Sequence, residues 1–176
     1  MATIRPGRCY SKINKKPWTR VSKRKPRRSY VKGVPVSKIH QFEMGKVHGK
    51  YEVAYHLVAK EPRQLRSNSM EACRVSATKC LTKAFGENGF FLKIRPYPHH
   101  VLRENAMATG AGADRFSDGM RRSFGKPIGQ AARVYPGQKI LTVKVPKGKE
   151  KDARLAMKRG AAKISGKYTV EREELN

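Results

Sequence analysis

Acidic residues are missing from a whole fifth of this chain. From Met1 to Pro35 there are 12 Lys or Arg and no Asp or Glu, and across all 176 residues 40 basic side chains face 13 acidic ones. The formal net charge of +27 works against compactness through self-repulsion, so it calls for a polyanionic partner. Nucleic acid fits, because each phosphate met by Lys or Arg releases counterions. A membrane fits poorly. No apolar run approaches the roughly 20 residues a spanning helix needs, and the basic helical faces lack large apolar partners for interfacial binding. Cysteine is scarce: Cys9, Cys73 and Cys80 make an odd number without CxxC spacing, which argues against a disulfide framework and a zinc knuckle. Met1 to Cys9 has no apolar stretch of the secretory kind, so a reducing cytoplasm is the expected compartment.

Nucleotide-binding signatures are lacking too. Gly119 to Lys126 has five residues between its glycines where a phosphate loop needs four, and Pro127 stands where a magnesium-holding hydroxyl belongs. Gly110-Ala-Gly112 has no third glycine at the dinucleotide spacing. His40, His48, His56, His99 and His100 show neither helical i, i+4 pairing nor zinc-ligand neighbours, and read as strand or loop histidines touching solvent or phosphate. No cofactor, metal or small-molecule substrate is expected.

What is present falls into an arm (1–35) and a single α+β domain (36–176). The arm peaks at Lys23-Arg24-Lys25-Pro26-Arg27-Arg28, and Pro6, Pro17, Pro26 and Pro35 interrupt regular structure. It is expected to order only on a partner. Tyr10, Trp18 and Tyr30 among these cations suit stacking on bases. In the domain, Ser37–Met44 and Tyr51–Ala59 read as a strand hairpin. Gln64–Phe85 reads as a helix with Met70, Cys73, Ala77, Cys80 or Leu81, and Ala84 on its apolar stripe and Arg74, Lys79 and Lys83 off it. Phe90–Arg95 predicts a strand continuing through Tyr97–Leu102. Gln130–Tyr135 and Lys139–Val145 predict a hairpin about Pro136-Gly137, Lys149–Ser165 a second helix, and Tyr168–Arg172 a closing edge strand.

Between them, 103–118 reads as a long functional loop, small and glycine-containing. Arg103, Arg115, Arg121, Arg122, Lys126 and Arg133 surround it, able to fork onto phosphates. Glu104, Asp114 and Asp118 each have a basic neighbour (Arg103, Arg115, Arg121), which favours loop-holding salt bridges over an acid/base pair. An RNA-modifying enzyme using these carboxylates or Cys80 is the alternative.

Several segments resemble one family. Ile94-Arg-Pro-Tyr-Pro-His-His-Val101, Glu104-Asn-Ala-Met-Ala-Thr-Gly-Ala-Gly-Ala-Asp-Arg115, Gly119-Met-Arg and Phe124-Gly-Lys-Pro127 look like the large-subunit ribosomal protein family called L-ten-e in archaea and eukaryotes and L-sixteen in bacteria. Arg5-Pro-Gly-Arg-Cys-Tyr10, Gly33-Val-Pro-Val-Ser-Lys-Ile39 and Asn68-Ser-Met-Glu-Ala-Cys-Arg74 resemble it as well, so the likeness runs from the arm to about Ala162. It implies an α/β-hammerhead-type sandwich, two helices on a mainly antiparallel sheet. It also implies a place on large-subunit rRNA near the central protuberance, beside neighbouring ribosomal proteins, with the 103–118 loop toward tRNA acceptor ends. The acidic end, Glu171 to Asn176, and the lack of a long C-terminal extension favour the archaeal type. The expected rRNA contacts are Arg5, Arg8, Lys15, Lys16, Trp18, Arg20, Lys23, Arg24, Lys25, Arg27, Arg28, Lys32, Lys38, Arg121, Arg122 and Lys126. The expected tRNA-proximal residues are Arg103, Asn105, Met107, Thr109, Gly110, Gly112, Asp114 and Arg115.

Overall fold

A computed structural model describes residues 5–13, 17–19, 31–115, 117–121 and 123–175. In chain order the regular elements are β1 (Glu43–Gly45), β2 (Val53–Ala59), β3 (Arg63–Arg66), α1 (Ser67–Phe85), β4 (Phe91–Ile94), β5 (His100–Glu104), β6 (Lys126–Val134), β7 (Lys139–Val145), α2 (Glu150–Ala161) and β8 (Tyr168–Glu174). They form a five-stranded sheet, β1-β4-β7-β2-β8, and a three-stranded sheet, β3-β6-β5. Every strand pair is antiparallel. With two helices on such sheets, the fold is α+β, as the resemblance implies.

Neither expected hairpin forms. The strand before Gly45–Gly49 shrinks to β1, which pairs with β4, while β2 pairs with β7 and β8. About Pro136-Gly137 the turn itself exists, closed by the Gln138 N–H on the Tyr135 carbonyl at 3.1 Å. Its two strands nevertheless part, β6 to the small sheet and β7 to the large one. Local patterning marks strands and turns, but partner choice is long-range, and burial of both sheets against the helices decides it here. The edge strand at Tyr168 forms as expected and pairs with β2 throughout.

The helix expected from Gln64 starts at Ser67, because Arg63–Arg66 pairs with Ala131–Val134 instead. Its buried stripe is Met70, Cys73, Ala77 and Leu81, with Cys80 only half-buried. Arg74, expected off the stripe, is buried; its Nη2 meets Glu71 Oε1 at 2.5 Å, and the guanidinium holds the Glu71 carboxyl below its usual range. The second helix is shorter than expected, but Ala153, Met157 and Gly160 line its buried side. Glu150 and Asp152 in its first turn and Lys158 and Arg159 in its last complement the helix dipole. The helices pack face to face at a small-residue crossing. A Cβ on Gly160 would lie 3.1 Å from Cys73 Sγ, so only glycine allows this approach without displacement. α2 also lies on β2, β7 and β8, and α1 on β3 and β6, which gathers one core from both sheets.

Candidate nucleic-acid interface

β5 and β6 pair as far as Glu104 opposite Lys126, so the segment between them is the end of a long antiparallel finger. A register shift after Leu102 leaves Ile128 as the extra residue of a bulge, and Pro127, which has no N–H to donate, sits where β6 has lost its β3 neighbour. At the finger's root Gly125 takes φ +79°, and a Cβ there would fall 2.7 Å from the Glu104 carbonyl carbon. The two chains can therefore close together only at glycine. Farther out the loop has local order: Ala113–Arg115 makes a 3-10 turn, and the Ser117 N–H reaches the Ala113 carbonyl at 2.9 Å. Asn105 Nδ2 donates to the Gly119 carbonyl at 3.3 Å across it. Met107, Thr109, Gly110, Gly112, Asp114, Arg115, Arg121 and Lys126 are exposed, and Gly110 and Gly112 take positive φ.

Arg103 is not a free phosphate fork. Its guanidinium carbon sits 3.8 Å from the centre of the Phe124 ring and 4.8 Å from that of Trp18, and Nη1 donates to the Phe124 carbonyl at 2.9 Å. Trp18 and Phe124 meet edge to face, centroids 5.2 Å apart. The result is a cation–π corner that ties arm to finger. Trp18, expected on a base, is used within the chain. Its backbone N–H donates to His100 Nδ1 at 3.0 Å and its carbonyl accepts from the Val101 N–H at 2.7 Å. Burial first, then the charges of Arg133 and Arg103, pushes His100 down to about 4, so the ring is neutral and accepts through Nδ1.

The arm grips the opposite edge of the small sheet as well. The Gln64 N–H donates to the Ser11 carbonyl at 2.9 Å, and Gln64 Nε2 to the Tyr10 carbonyl at 2.9 Å. Arg66 Nη1 donates to the Arg5 carbonyl at 2.7 Å, and Arg5 itself pairs with Glu104. Both edges, β3 and β5, thus receive a backbone partner from the arm, Ser11 on one and Trp18 on the other, which hinders stray strand addition. Within these segments Ser11 is buried and Trp18 half-buried.

Of the other expected contacts, Arg8, Lys32 and Lys38 are exposed, with Val31 and Ile39 buried beside the last two. Lys15, Lys16, Arg20, Lys23, Arg24, Lys25, Arg27, Arg28, Tyr30 and Arg122 lie outside the described residues. The carboxylates divide differently from expectation. Glu104 pairs with Arg5 rather than Arg103, and among the described residues Asp114 and Asp118 make no ion pair. His56 is a core histidine, its Nδ1 3.0 Å from Thr142 Oγ1 and its Nε2 2.8 Å from Glu173 Oε2. Sequence reasoning also passed over the outer face of α2, where Lys151, Arg154, Lys158 and Arg159 are exposed at i, i+3, i+7 and i+8. The signal was the complement of the apolar stripe already seen.

Among the described residues no group of His, Cys, Asp and Glu is placed to hold a metal ion, and no helix is long and apolar enough to cross a membrane. The arrangement offers exposed cations on a braced scaffold.

A model of the family described as Ribosomal protein L16p/L10e matches residues 18–171. A Staphylothermus marinus protein named large ribosomal subunit protein uL16 is 51% identical over 161 residues, covering 92% of this chain and 88% of that one. Its namesake in Hyperthermus butylicus is 46% identical over 165 residues, covering 91% and 88%. The Sulfolobus acidocaldarius namesake is 43% identical over 175 residues, covering 98% and 96%. The chain belongs to the L16p/L10e family of ribosomal proteins, in its archaeal type.

Proposed function

We propose that this chain is a structural constituent of the large ribosomal subunit that binds rRNA near the central protuberance and presents its finger to the acceptor ends of aminoacyl- and peptidyl-tRNA. The carrying observation is the contrast within the finger: its root is locked by Arg103, Trp18, Phe124 and Gly125, while Arg115 and Arg121 beyond it stand exposed. A braced rod with cations at its far end suits entry into crowded RNA, where backbone charge gives affinity and fixed geometry gives register. The names of the archaeal relatives support the subunit, and a working place in the cytoplasm follows from it. The enzymatic alternative loses its ground with membership in a ribosomal-protein family.

Filter binding of the full chain to large-subunit rRNA and to a length-matched DNA duplex, across a salt series, tests the reading. Preference for rRNA is expected, with affinity falling by about 0.7–0.9 log units per decade of salt for each phosphate met. Equal affinity for the two would reduce the chain to a generic polycation. For the finger, Arg115→Ala with Arg121→Ala is expected to leave incorporation into the subunit intact and to weaken tRNA binding by the assembled ribosome. Loss of incorporation with tRNA binding unchanged would make the finger an rRNA anchor.

A further inference from the structure

The crossover from the large sheet to the small one, Arg95-Pro-Tyr-Pro-His99, belongs to neither arm nor finger. Extended backbone alternates its sides, and here Pro96 and Pro98 are buried while Arg95, Tyr97 and His99 are exposed. The prolines fix their own φ and restrict the residues before them. The Arg95 N–H is tied to the Ile140 carbonyl at 2.9 Å and the His99 N–H to the Tyr97 carbonyl at 3.0 Å. The segment is a stiff ledge. On it Tyr97 lies almost parallel to Phe42, centroids 5.4 Å apart and planes 17° apart, and the His99 ring follows at 4.5 Å. Phe42 packs on the core, so the row of rings is anchored at its inner end. Tyr97 is nonetheless 49% exposed.

A folded domain hides aromatic faces unless something else covers them, and these stand beside Arg95, which joins no ion pair among the described residues. An acidic protein segment would satisfy the cation and leave the ring faces wet. An unpaired nucleotide satisfies both, its base on the rings and its phosphate on the guanidinium. We propose that Arg95, Tyr97 and His99 form a stacking ledge for an unpaired RNA base, footed on Phe42. This rests on the RNA-binding reading above and adds a base contact to a surface otherwise described by charge.

The test compares the full chain's affinity for a short oligoadenylate with that for an abasic ribose-phosphate strand of equal length, alongside large-subunit rRNA. The native chain is expected to prefer oligoadenylate by about tenfold, within the range that base–aromatic stacking supplies. Tyr97→Leu combined with His99→Ala should erase most of that preference and leave abasic binding unchanged. Tyr97→Phe, which keeps the ring, should retain it, and Arg95→Ala should weaken both strands by a similar factor. If the native chain binds rRNA steeply with salt yet treats both strands alike, the ledge is overturned while the RNA reading stands. A preference that survives the double substitution overturns it equally. Failure to bind rRNA removes both readings.

Discussion

The large sheet with α2 and the small sheet with its finger hold themselves together by different means. In the large sheet and around it, charge is met by opposite charge: Glu43 with Lys93, Glu150 with Arg172, and Glu173 with Lys139. Beneath lie side chains such as Leu57, Leu141 and Val143, almost wholly removed from water. At the finger's root Arg5 meets Glu104, but the neighbouring Arg103 is held by two aromatic rings, one of them from the basic arm, and Arg115 and Arg121 beyond it stand exposed. The packed core and the exposed cations therefore lie in different places, and substitutions should separate them. Leu57→Ala is expected to cost about 3 kcal/mol in urea unfolding, because it removes buried methyl groups and leaves a void. Arg115→Ala with Arg121→Ala should move the same measurement by less than about 0.5 kcal/mol. Comparable losses from the two would erase the distinction.

An intermediate effect is expected where the regions join. Trp18→Ala removes one ring from Arg103 and the edge-to-face partner of Phe124, a loss of about 1–2 kcal/mol by analogy with desolvated cation–π and aromatic pairs. Amide exchange would show where the loss falls. Faster exchange is expected at Val101, whose N–H meets the Trp18 carbonyl, and little change at Leu57 in the large sheet. Uniform acceleration across both sheets would mean that the arm braces the whole domain rather than the finger.

How much of this was legible in the sequence depends on the range of the forces involved. The α1 stripe of Met70, Cys73 and Ala77 and the edge strand at Tyr168 follow from local periodicity and were readable. The destinations of β2 and β7 were not, because a strand's alternation says which face is buried and nothing about its neighbour. For the same reason Arg63–Arg66 was lost to the helix: only its pairing with β6 makes it a strand. In the candidate interface, the finger's small residues and flanking arginines were visible as composition. The capture of Arg103 by Trp18 was not, since residues so far apart in sequence leave no spacing signature. The exposed Arg95, Tyr97 and His99 required the prolines between them to be seen buried.

A smaller effect than that of Trp18→Ala separates the two regions by pH. His56 in the large sheet and His100 at the finger's root are both pushed below the ordinary histidine value, burial being the largest cause in each. Their surroundings differ when a proton does arrive. Nε2 of His56 already faces the Glu173 carboxylate, which also meets Lys139, so part of the cost of charging it is returned. His100 loses its acceptor role toward the Trp18 N–H and gains a charge beside Arg103 and Arg133. With a folded value of about 4 against roughly 6.5 in the unfolded chain, the unfolded state binds the extra proton first. The contribution of His100 is thus fully present above about pH 6.5 and fades as pH falls toward 4. Partial exposure of the ring limits it to about 1 kcal/mol. Exchange at Val101 should therefore quicken between pH 6.5 and 4, after correction for the intrinsic pH dependence of exchange, before the amides of β2 respond, and His100→Gln should remove that difference. Simultaneous loosening of Val101 and β2 in the native chain would show that acid acts on the common core, and that the finger's root has no proton-sensitive hold of its own.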